Sequence, residues 1–284
     1  MISPGFNKEG EKMNLLQKPI LFPLNEKVRL IQYITGENSM LEHIELSIYD
    51  IEPGGKVSYH EENFESCVVV LSGKVTVDVL NGKIYSQLGT RTSVFDKVPT
   101  HSVYIGKNRF YTITAETKTR ILIAASKTDQ SLPDNLIKPE DVLIESRGSY
   151  HNKRYVQTIL SDQDTISDKL LVVEVYTEGG NFSSYPPHKH DQNLLPKESI
   201  LEETYYHEIN PTQGFVFQRV YSDNRLLDQT MSCSNQDVVL VPKGYHPVGV
   251  PDGYTSYYLN IMAGPIKVWR FHDDPEHEWI KDRL

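Results

Sequence analysis

The sequence has few of the features that mark secreted, membrane-spanning or nucleic-acid-binding proteins. Its only two cysteines, Cys67 and Cys233, stand far apart and fit a reducing cytoplasm better than a disulfide scaffold. No apolar run approaches the roughly 20 residues that cross a bilayer, and the N-terminus lacks the pattern of a signal peptide. The net charge of −9 disfavours a nucleic-acid-binding surface. We therefore expect a soluble cytoplasmic protein with neither a membrane nor a nucleic-acid partner.

Short β-strands dominate the pattern, and convincing helical periodicity is missing between them. Cys67-Val-Val-Val-Leu71 is an apolar run of the kind found in buried strands. A second run, Lys74-Val-Thr-Val-Asp-Val-Leu80, leads into Asn81-Gly82, one of the strongest hairpin signals in sequence. Strands at this spacing predict an all-β sandwich or barrel.

An internal repeat predicts two tandem domains. Residues 48–55 end in Pro-Gly-Gly before Ser58-Tyr59, and residues 175–180 end in Glu-Gly-Gly before Ser184-Tyr185. The copies are about 125 residues apart, a domain-sized period. A polar segment at 126–140 holds two prolines and is the best linker. We predict a flexible extension at 1–12, a first domain at 13–140 and a second at 141–284.

Four residues of the second half have the pattern of a metal site. His188 and His190 alternate, so on a strand both imidazoles point to one face. An acid follows on the next strand, at Glu202 or Glu203, and His246 comes later in a Pro-Lys-Gly-Tyr-His turn. Imidazole and carboxylate together suit Zn, Mn, Fe or Ni. The pattern predicts one divalent ion.

A simpler interpretation must be weighed, because His-x-His alone is common on solvated loops. The flanking prolines, the downstream acids and the glycine turn favour a ligand set. At the place that matches His188 and His190 the first half offers His60, Glu61 and Glu62, and its later strands supply only His101, so we expect its domain to lack metal. His207 could line the pocket or be a hydrogen-bonded histidine of the barrel interior.

Basic and aromatic side chains near these residues are candidates for binding a substrate. Phe215, Phe217, Arg219 and Tyr221 share one strand face, and if that face points inward Arg219 could clamp a carboxylate. The alternative places Arg219 on the exposed face. Tyr257-Tyr258 puts one tyrosine on each face of its strand, and Lys243 flanks a candidate ligand.

Several segments resemble those of a known protein family. The chain resembles the 5-deoxy-glucuronate isomerases of myo-inositol catabolism from near Met13 to its end, more specifically in the second half. The segments that carry the likeness are His188-Lys-His190, Leu201-Glu-Glu-Thr-Tyr-Tyr-His207, residues 214–221, residues 239–248, residues 257–265 and Asp274-Pro-Glu-His-Glu-Trp279. The resemblance implies a bicupin, with two tandem cupin-type β-barrel or jelly-roll domains, related to the isomerase of 5-keto-4-deoxyuronate.

The resemblance also implies a chemistry. It assigns the metal to His188, His190, Glu203 and His246, with Zn favoured over Mn, Fe or Ni, and leaves Glu202 open because of the insertion after His190. The reaction would convert 5-deoxy-D-glucuronate to 2-deoxy-5-keto-D-gluconate through an enediolate that a divalent ion stabilises. The general base would be Glu202, His207 or a tyrosine, and the sequence does not choose among them. The residues expected to bind the substrate are Arg219, Lys243 and Tyr257. Paired cupin sheets commonly hide their edges by association, so we also expect a homo-oligomer.

Two alternatives come from other classes. The same four ligands could serve a cupin dioxygenase, which would consume O₂. A non-catalytic sugar-binding bicupin would not need an intact metal set. Oxygen uptake and metal content distinguish these alternatives from the isomerase.

Overall fold

The computed structural model describes residues 14–283. The predicted flexible extension at 1–12 lies outside these residues, as does Met13. Strands form most of the regular structure, and the described residues contain helix only as three short 3-10 turns, at Val94–Asp96, Pro139–Asp141 and Glu278–Asp282. Within the same residues, none of the helices has the length and apolar character needed to span a bilayer.

The strands follow one another with short connections. In chain order, those of the first half are β1 (Leu16–Gln17), β2 (Phe22–Asn25), β3 (Val28–Ile34), β4 (Glu45–Ile51), β5 (Lys56–Tyr59), β6 (Phe64–Ser72), β7 (Val75–Val79), β8 (Ile84–Leu88), β9 (Ser102–Ile105), β10 (Tyr111–Ala115), β11 (Thr119–Lys127) and β12 (Asn135–Ile137). Those of the second half are β13 (Leu143–Arg147), β14 (Arg154–Leu160), β15 (Leu171–Glu178), β16 (Phe182–Ser183), β17 (His188–Lys189), β18 (Glu202–Asn210), β19 (Phe215–Tyr221), β20 (Asp228–Ser234), β21 (Val238–Val241), β22 (Val248–Gly249), β23 (Thr255–Ala263) and β24 (His272–Asp273).

Two seven-stranded antiparallel sheets of matching topology form the centre of the molecule. Their orders are β12-β9-β6-β11-β4-β3-β2 and β1-β21-β18-β23-β15-β14-β13, so that β6 corresponds to β18 and β9 to β21. A four-stranded sheet covers each of them, β5-β10-β7-β8 in the first half and β16-β22-β19-β20 in the second. The strands β17 and β24 form a separate two-stranded ribbon. The two halves are therefore two copies of one sandwich.

The central strands are buried on both faces. In β6, Val68 and Val70 belong to the core inside the first sandwich, whereas Cys67, Val69 and Leu71 belong to a core shared by the two halves. Strand β18 repeats this arrangement, with Tyr205 inside the second sandwich and Tyr206 in the shared core. Burial on both faces explains why these strands read as continuous apolar runs rather than as alternating ones.

The first strand belongs to the opposite half of the molecule. β1 pairs with β21, with Leu16 opposite Val239, and Leu15 is fully buried in the core of the second sandwich. At the other end of the first half, β12 still pairs with β9, and β13 is the first strand of the second sheet to follow it. Our predicted boundary at 140 falls between these strands, but the expected first domain also includes β1, which the structure places in the sheet of the second.

A buried ion pair joins the two halves. Arg91, in the loop after β8, donates to the carboxylate of Glu174 on β15 and to the hydroxyl of Tyr176 at 3.1 Å. It also donates to the carbonyls of Leu71 and Val98, at 2.9 and 3.1 Å. Both charged side chains are wholly shielded from solvent, so their charges are balanced by each other, by these hydrogen bonds and by one from the hydroxyl of Tyr257 to Glu174.

We expect Arg91→Met to destabilise the protein strongly, because Glu174 would keep a buried charge without its counter-ion. Urea unfolding should show a loss of roughly 3–5 kcal/mol. The control is Lys118→Met, since Lys118 pairs with Glu52 on the surface at 3.5 Å, and exposed pairs contribute about 0–1 kcal/mol. Equal free energies of unfolding for the two variants would show that the Arg91–Glu174 ion pair does not stabilise the packing of the halves.

Candidate metal centre

The alternation of β18 decides which of its side chains enter the second sandwich. Tyr205 packs in the core of that sandwich and Tyr206 in the shared core. Because side chains alternate along a strand, Glu203 and His207 point inward with Tyr205. Glu202 points the other way, toward the first half. Of the two acids that the sequence left open, Glu203 is therefore the one that points into the second sandwich.

Three of the predicted ligands meet inside the second sandwich. The Nε2 atoms of His190 and His246 each lie 3.1 Å from Oε2 of Glu203. The potential ligand atoms of these three side chains all lie within 4.8 Å of one another, and all three side chains are buried. Among the described residues of the first half no such group occurs.

The orientation of both imidazoles suits metal binding. Nδ1 of His190 lies 2.9 Å from the carbonyl oxygen of Leu201, and Nδ1 of His246 lies 2.8 Å from that of Gly244. Only a protonated Nδ1 can donate to a carbonyl, so the neutral form of each imidazole carries its lone pair on Nε2, on the side of the carboxylate. Nε2 of His246 is buried, and its 3.1 Å contact with Oε2 of Glu203 lacks the geometry of a hydrogen bond. Converging lone pairs need a cation between them, so these residues fit a divalent ion.

A glycine turn places His246. Gly244 has a φ of +94°, and a Cβ at this position would come within 2.5 Å of the carbonyl oxygen of Tyr221. Its amide donates to Oδ2 of Asp191 at 2.9 Å, which ties this turn to the residue after His190. Only glycine adopts this positive φ and avoids the clash at Cβ without strain. The Pro-Lys-Gly-Tyr-His motif therefore holds His246 in a fixed position relative to His190.

The fourth predicted ligand, His188, lies beside this group but is not part of it. Its half-buried ring is centred 4.9 Å from that of His246 and 6.4 Å from that of His190. The ring of Phe271, from the C-terminal segment, packs against it with a centroid separation of 4.7 Å. The ribbon of β17 and β24 holds His188 at this place, opposite Asp273.

Electrostatics keep the acid charged. Burial alone would raise the pKa of Glu203, but His246 and His190 outweigh it and lower that pKa below its ordinary value. Burial likewise opposes the charged form of His190, yet its contact with Glu203 raises the pKa of this imidazole. The pKa of His188 is lowered by burial and by the two neighbouring histidines.

His207, a predicted base, lies deeper in the same sandwich. It is fully buried, its Nε2 lies 3.0 Å from Oε1 of Gln218, and its Nδ1 has no hydrogen-bond partner. Burial lowers its pKa to about 4, so the imidazole is neutral at physiological pH. Four residues separate it from Glu203, about 13 Å along a strand. The structure therefore does not bring His207 into the group of three.

Two other predicted residues face the shared core instead. Glu202 accepts hydrogen bonds from the amides of Glu42 and His43 in the first half, at 2.8 to 3.0 Å. The hydroxyl of Tyr257 donates to Oε1 of Glu174 at 2.7 Å. Strand alternation directs Glu202 and Tyr257 toward the shared core. The neighbour of Tyr257 on β23, Tyr258, points into the second sandwich instead.

The expected inward position of Arg219 does not occur. Its guanidinium donates to both oxygens of Asp228 on the neighbouring strand, at 2.8 and 2.7 Å, and 40% of its side chain is exposed. The alternate residues of β19 are fully buried instead, namely Val216, Gln218 and Val220. Their smaller side chains fill the inside of the sandwich, so the aromatic and basic face of β19 is the outer one.

Lys243 is exposed and lies outside the group of ligands. It lines a cavity of about 370 Å³ together with Asp191, Asp223 and other polar side chains. None of the three converging residues lines this cavity.

Arg154 is a basic residue near the site that sequence reasoning missed. It is the first residue of β14 and lies on the same face of that strand as Val156, which packs inside the second sandwich. Its Nη1 donates to the carbonyl of Asn152 at 3.0 Å, and no carboxylate in residues 14–283 pairs with it. Burial lowers its pKa, and its charge helps to lower the pKa of His188. Its alternation with Val156 was the available signal.

The corresponding positions of the first half hold different residues. Glu203 lies opposite Val241 and Ser66 opposite Ile105 in matching strand pairs, so Ser66 corresponds to Glu203. Five residues further along, Phe110 then corresponds to His246. The predicted residue His60 has its ring centred 6.3 Å from that of Phe110, and His101 accepts a hydrogen bond from Gly89. Neither Ser66 nor Phe110 offers a ligand of the kind found in the second half.

Comparison with solved structures agrees with this architecture. The crystal structure of an IolB-like protein from Salmonella typhimurium LT2 has a TM-score of 0.89 and 40% identity, covering 94% of this chain and 99% of that one. An oxalate decarboxylase from Lactobacillus farciminis has a TM-score of 0.70 at 12% identity, covering 97% of this chain and 92% of that one. The predicted all-β fold of two tandem cupin-type domains is thereby confirmed.

Comparison with sequences gives the family. A protein of Bacillus licheniformis named 5-deoxy-glucuronate isomerase is 53% identical over 270 residues, covering 95% of this chain and 99% of its own. The protein of that name from Bacillus subtilis strain 168 is 52% identical over 269 residues, with the same coverage. The model of the KduI/IolB family matches residues 17–280. With nearly its whole length matched, the chain belongs to the KduI/IolB family.

Proposed function

We propose that this protein is a 5-deoxy-glucuronate isomerase whose activity depends on one divalent metal ion. The observation that carries the metal dependence is the convergence of His190, Glu203 and His246 with their lone pairs facing one another. The substrate follows from the names of relatives that match nearly the whole chain at 52–53% identity. The reaction interconverts an aldose and a ketose, and the product is 2-deoxy-5-keto-D-gluconate.

The ion is held by His190, Glu203 and His246, with His188 as the fourth ligand. Zn is the favoured ion on this donor set, and Mn, Fe and Ni are the alternatives. When bound, it supplies Lewis-acid polarisation of the sugar's carbonyl and hydroxyl oxygens. A single site in the second half is supported by Ser66 and Phe110, which stand at the corresponding positions of the first.

Arg154 takes the role first expected of Arg219, which is to bind the carboxylate of the uronate. A half-buried guanidinium with no acidic partner in the described chain attracts an anion. Its charge acts to lower the pKa values of His188 and Tyr258, which supports a position near the proposed ligands. Lys243 stays a predicted second contact at the edge of the site.

His207 stays the predicted proton carrier. A base must be unprotonated and have a free lone pair, and neutral His207 has an unpartnered Nδ1. Glu202 is unsuited to this role, because its carboxylate faces the first half. A cytoplasmic location and a homo-oligomer remain predictions.

The direct test of the function is proton NMR of 5-deoxy-D-glucuronate with the purified protein in D₂O. We expect conversion to the ketone, its loss after chelation and its return when a divalent ion is added. Deuterium should enter at the carbon beside the carbonyl. No conversion by the metal-loaded protein would contradict the proposal, and oxygen uptake under the same conditions would indicate a dioxygenase.

The metal content of variants tests the ligand set separately. His246→Gln should lose most of its bound ion in elemental analysis, because one of the converging lone pairs is displaced. His151→Gln is the control, since His151 is exposed and outside the site. Unchanged metal content in His246→Gln would support a non-catalytic bicupin that binds no metal at this place.

The role of Arg154 can be measured against Arg219. Loss of a hydrogen bond to a charged group costs about 1.5–3 kcal/mol, so Arg154→Gln should raise KM roughly 10-fold to 100-fold. The matched variant Arg219→Gln removes a guanidinium from the outer face and should leave KM unchanged. If Arg219→Gln raised KM and Arg154→Gln did not, Arg219 would be the residue that binds the substrate carboxylate.

A further inference from the structure

Glu202 is a buried acid whose hydrogen bonds all cross from one half of the molecule to the other. Oε1 accepts from the amide of Glu42 at 2.9 Å, and Oε2 accepts from the amides of Glu42 and His43 at 3.0 and 2.8 Å. Only 7% of Glu202 is exposed. Charge-assisted hydrogen bonds of this kind are strong and directional. They fix the first residue of β18 against the loop before β4.

The next residue along the chain is the metal ligand Glu203. Neighbouring residues of a strand point to opposite faces, so a rigid anchor on one face restricts the side chain on the other. The only covalent link between the two carboxylates is a short stretch of β18 backbone. A shift of the anchored residue therefore moves the ligand with it.

The first half contains the same anchor without the ligand. Glu65, the corresponding residue of β6, accepts from the amides of Asp168, Lys169 and Leu170 at 2.7 to 2.8 Å. These amides precede β15, just as the amides bound by Glu202 precede β4. Next to Glu65 stands Ser66, at the place that Glu203 has in β18. The two anchors are reciprocal, but only one adjoins the metal centre.

We propose that Glu202 is a positioning residue, which orients Glu203 for the metal ion by holding β18 to the backbone of the first half. This inference rests on the proposed metal site. It gives the first half a role in the chemistry of the second, since its amides set the direction of a ligand. Residues that orient a ligand typically change metal affinity 10-fold to 100-fold when altered.

The test compares Glu202→Gln with Glu65→Gln. Both variants remove one buried anchor between the halves, and both should unfold at lower urea concentration than the unaltered protein. Only Glu202→Gln should weaken the binding of Zn²⁺, by about 10-fold or more, in competition with a chromophoric chelator. It alone should also shift the visible absorption bands of bound Co²⁺, which report ligand geometry.

The outcomes separate this inference from the proposed function. If the unaltered protein fails to bind Zn²⁺, the metal site itself is contradicted. If it binds Zn²⁺ and both variants keep that affinity, or lose it equally, the positioning role of Glu202 is overturned. Should Glu202→Gln fail to fold, Glu202→Asp keeps the charge and shortens the reach; it should weaken Zn²⁺ binding in the same direction, and unchanged affinity would overturn the inference.

Discussion

Burial of the central strands on both faces is the constraint on which the rest of the structure depends. The central strands of the two large sheets supply alternate residues to their own sandwich and to the core shared by the halves. On β18 this alternation divides two adjacent acids, so that Glu203 meets His190 and His246 while Glu202 meets the other half. A shift of β18 by one residue would turn Glu202 into the sandwich and Glu203 out of it. The packing that stabilises the fold therefore also fixes the candidate site.

Much of the fold, and the grouping of three of the four candidate ligands, could be predicted from the sequence, because they depend on local patterns. The repeat of Gly-Gly turns indicated the duplication, and the alternation of His188 and His190 with a later glycine turn indicated the ligands. The inward face of β19 could not be predicted in this way. Either face could have been buried, and the structure buries Val216, Gln218 and Val220 rather than the aromatic face with Arg219.

Residues that depend on contacts between distant elements were beyond reach of the sequence. Tyr257 and Tyr258 are both buried, so composition could not assign one to the sandwich and the other to the shared core. Pairing of β1 with β21 requires the two halves to be packed first, and no local signal predicts it. Arg154 follows Lys153 in a segment with no pattern of a binding site, so its relevance appears only when the strands are assembled.

Comparison of the two halves separates structural from chemical roles within one chain. Both keep a carboxylate that binds amides of the partner sandwich, Glu65 in one and Glu202 in the other. They differ at the positions of the ligands, where Ser66 and Phe110 replace an acid and an imidazole. Packing between the halves therefore does not require the proposed metal site, whereas the arrangement of that site's residues depends on the packing.

The central claim is that His190, Glu203 and His246 enclose one cation. Anomalous diffraction from crystals grown with Zn²⁺ tests this claim most directly. The account predicts one strong peak about 2.0–2.2 Å from Nε2 of His190, Nε2 of His246 and an oxygen of Glu203. His188 should turn toward the same peak. A peak instead at Asp274, Glu276 and His277, the other group of acids and imidazole in the described chain, would contradict it.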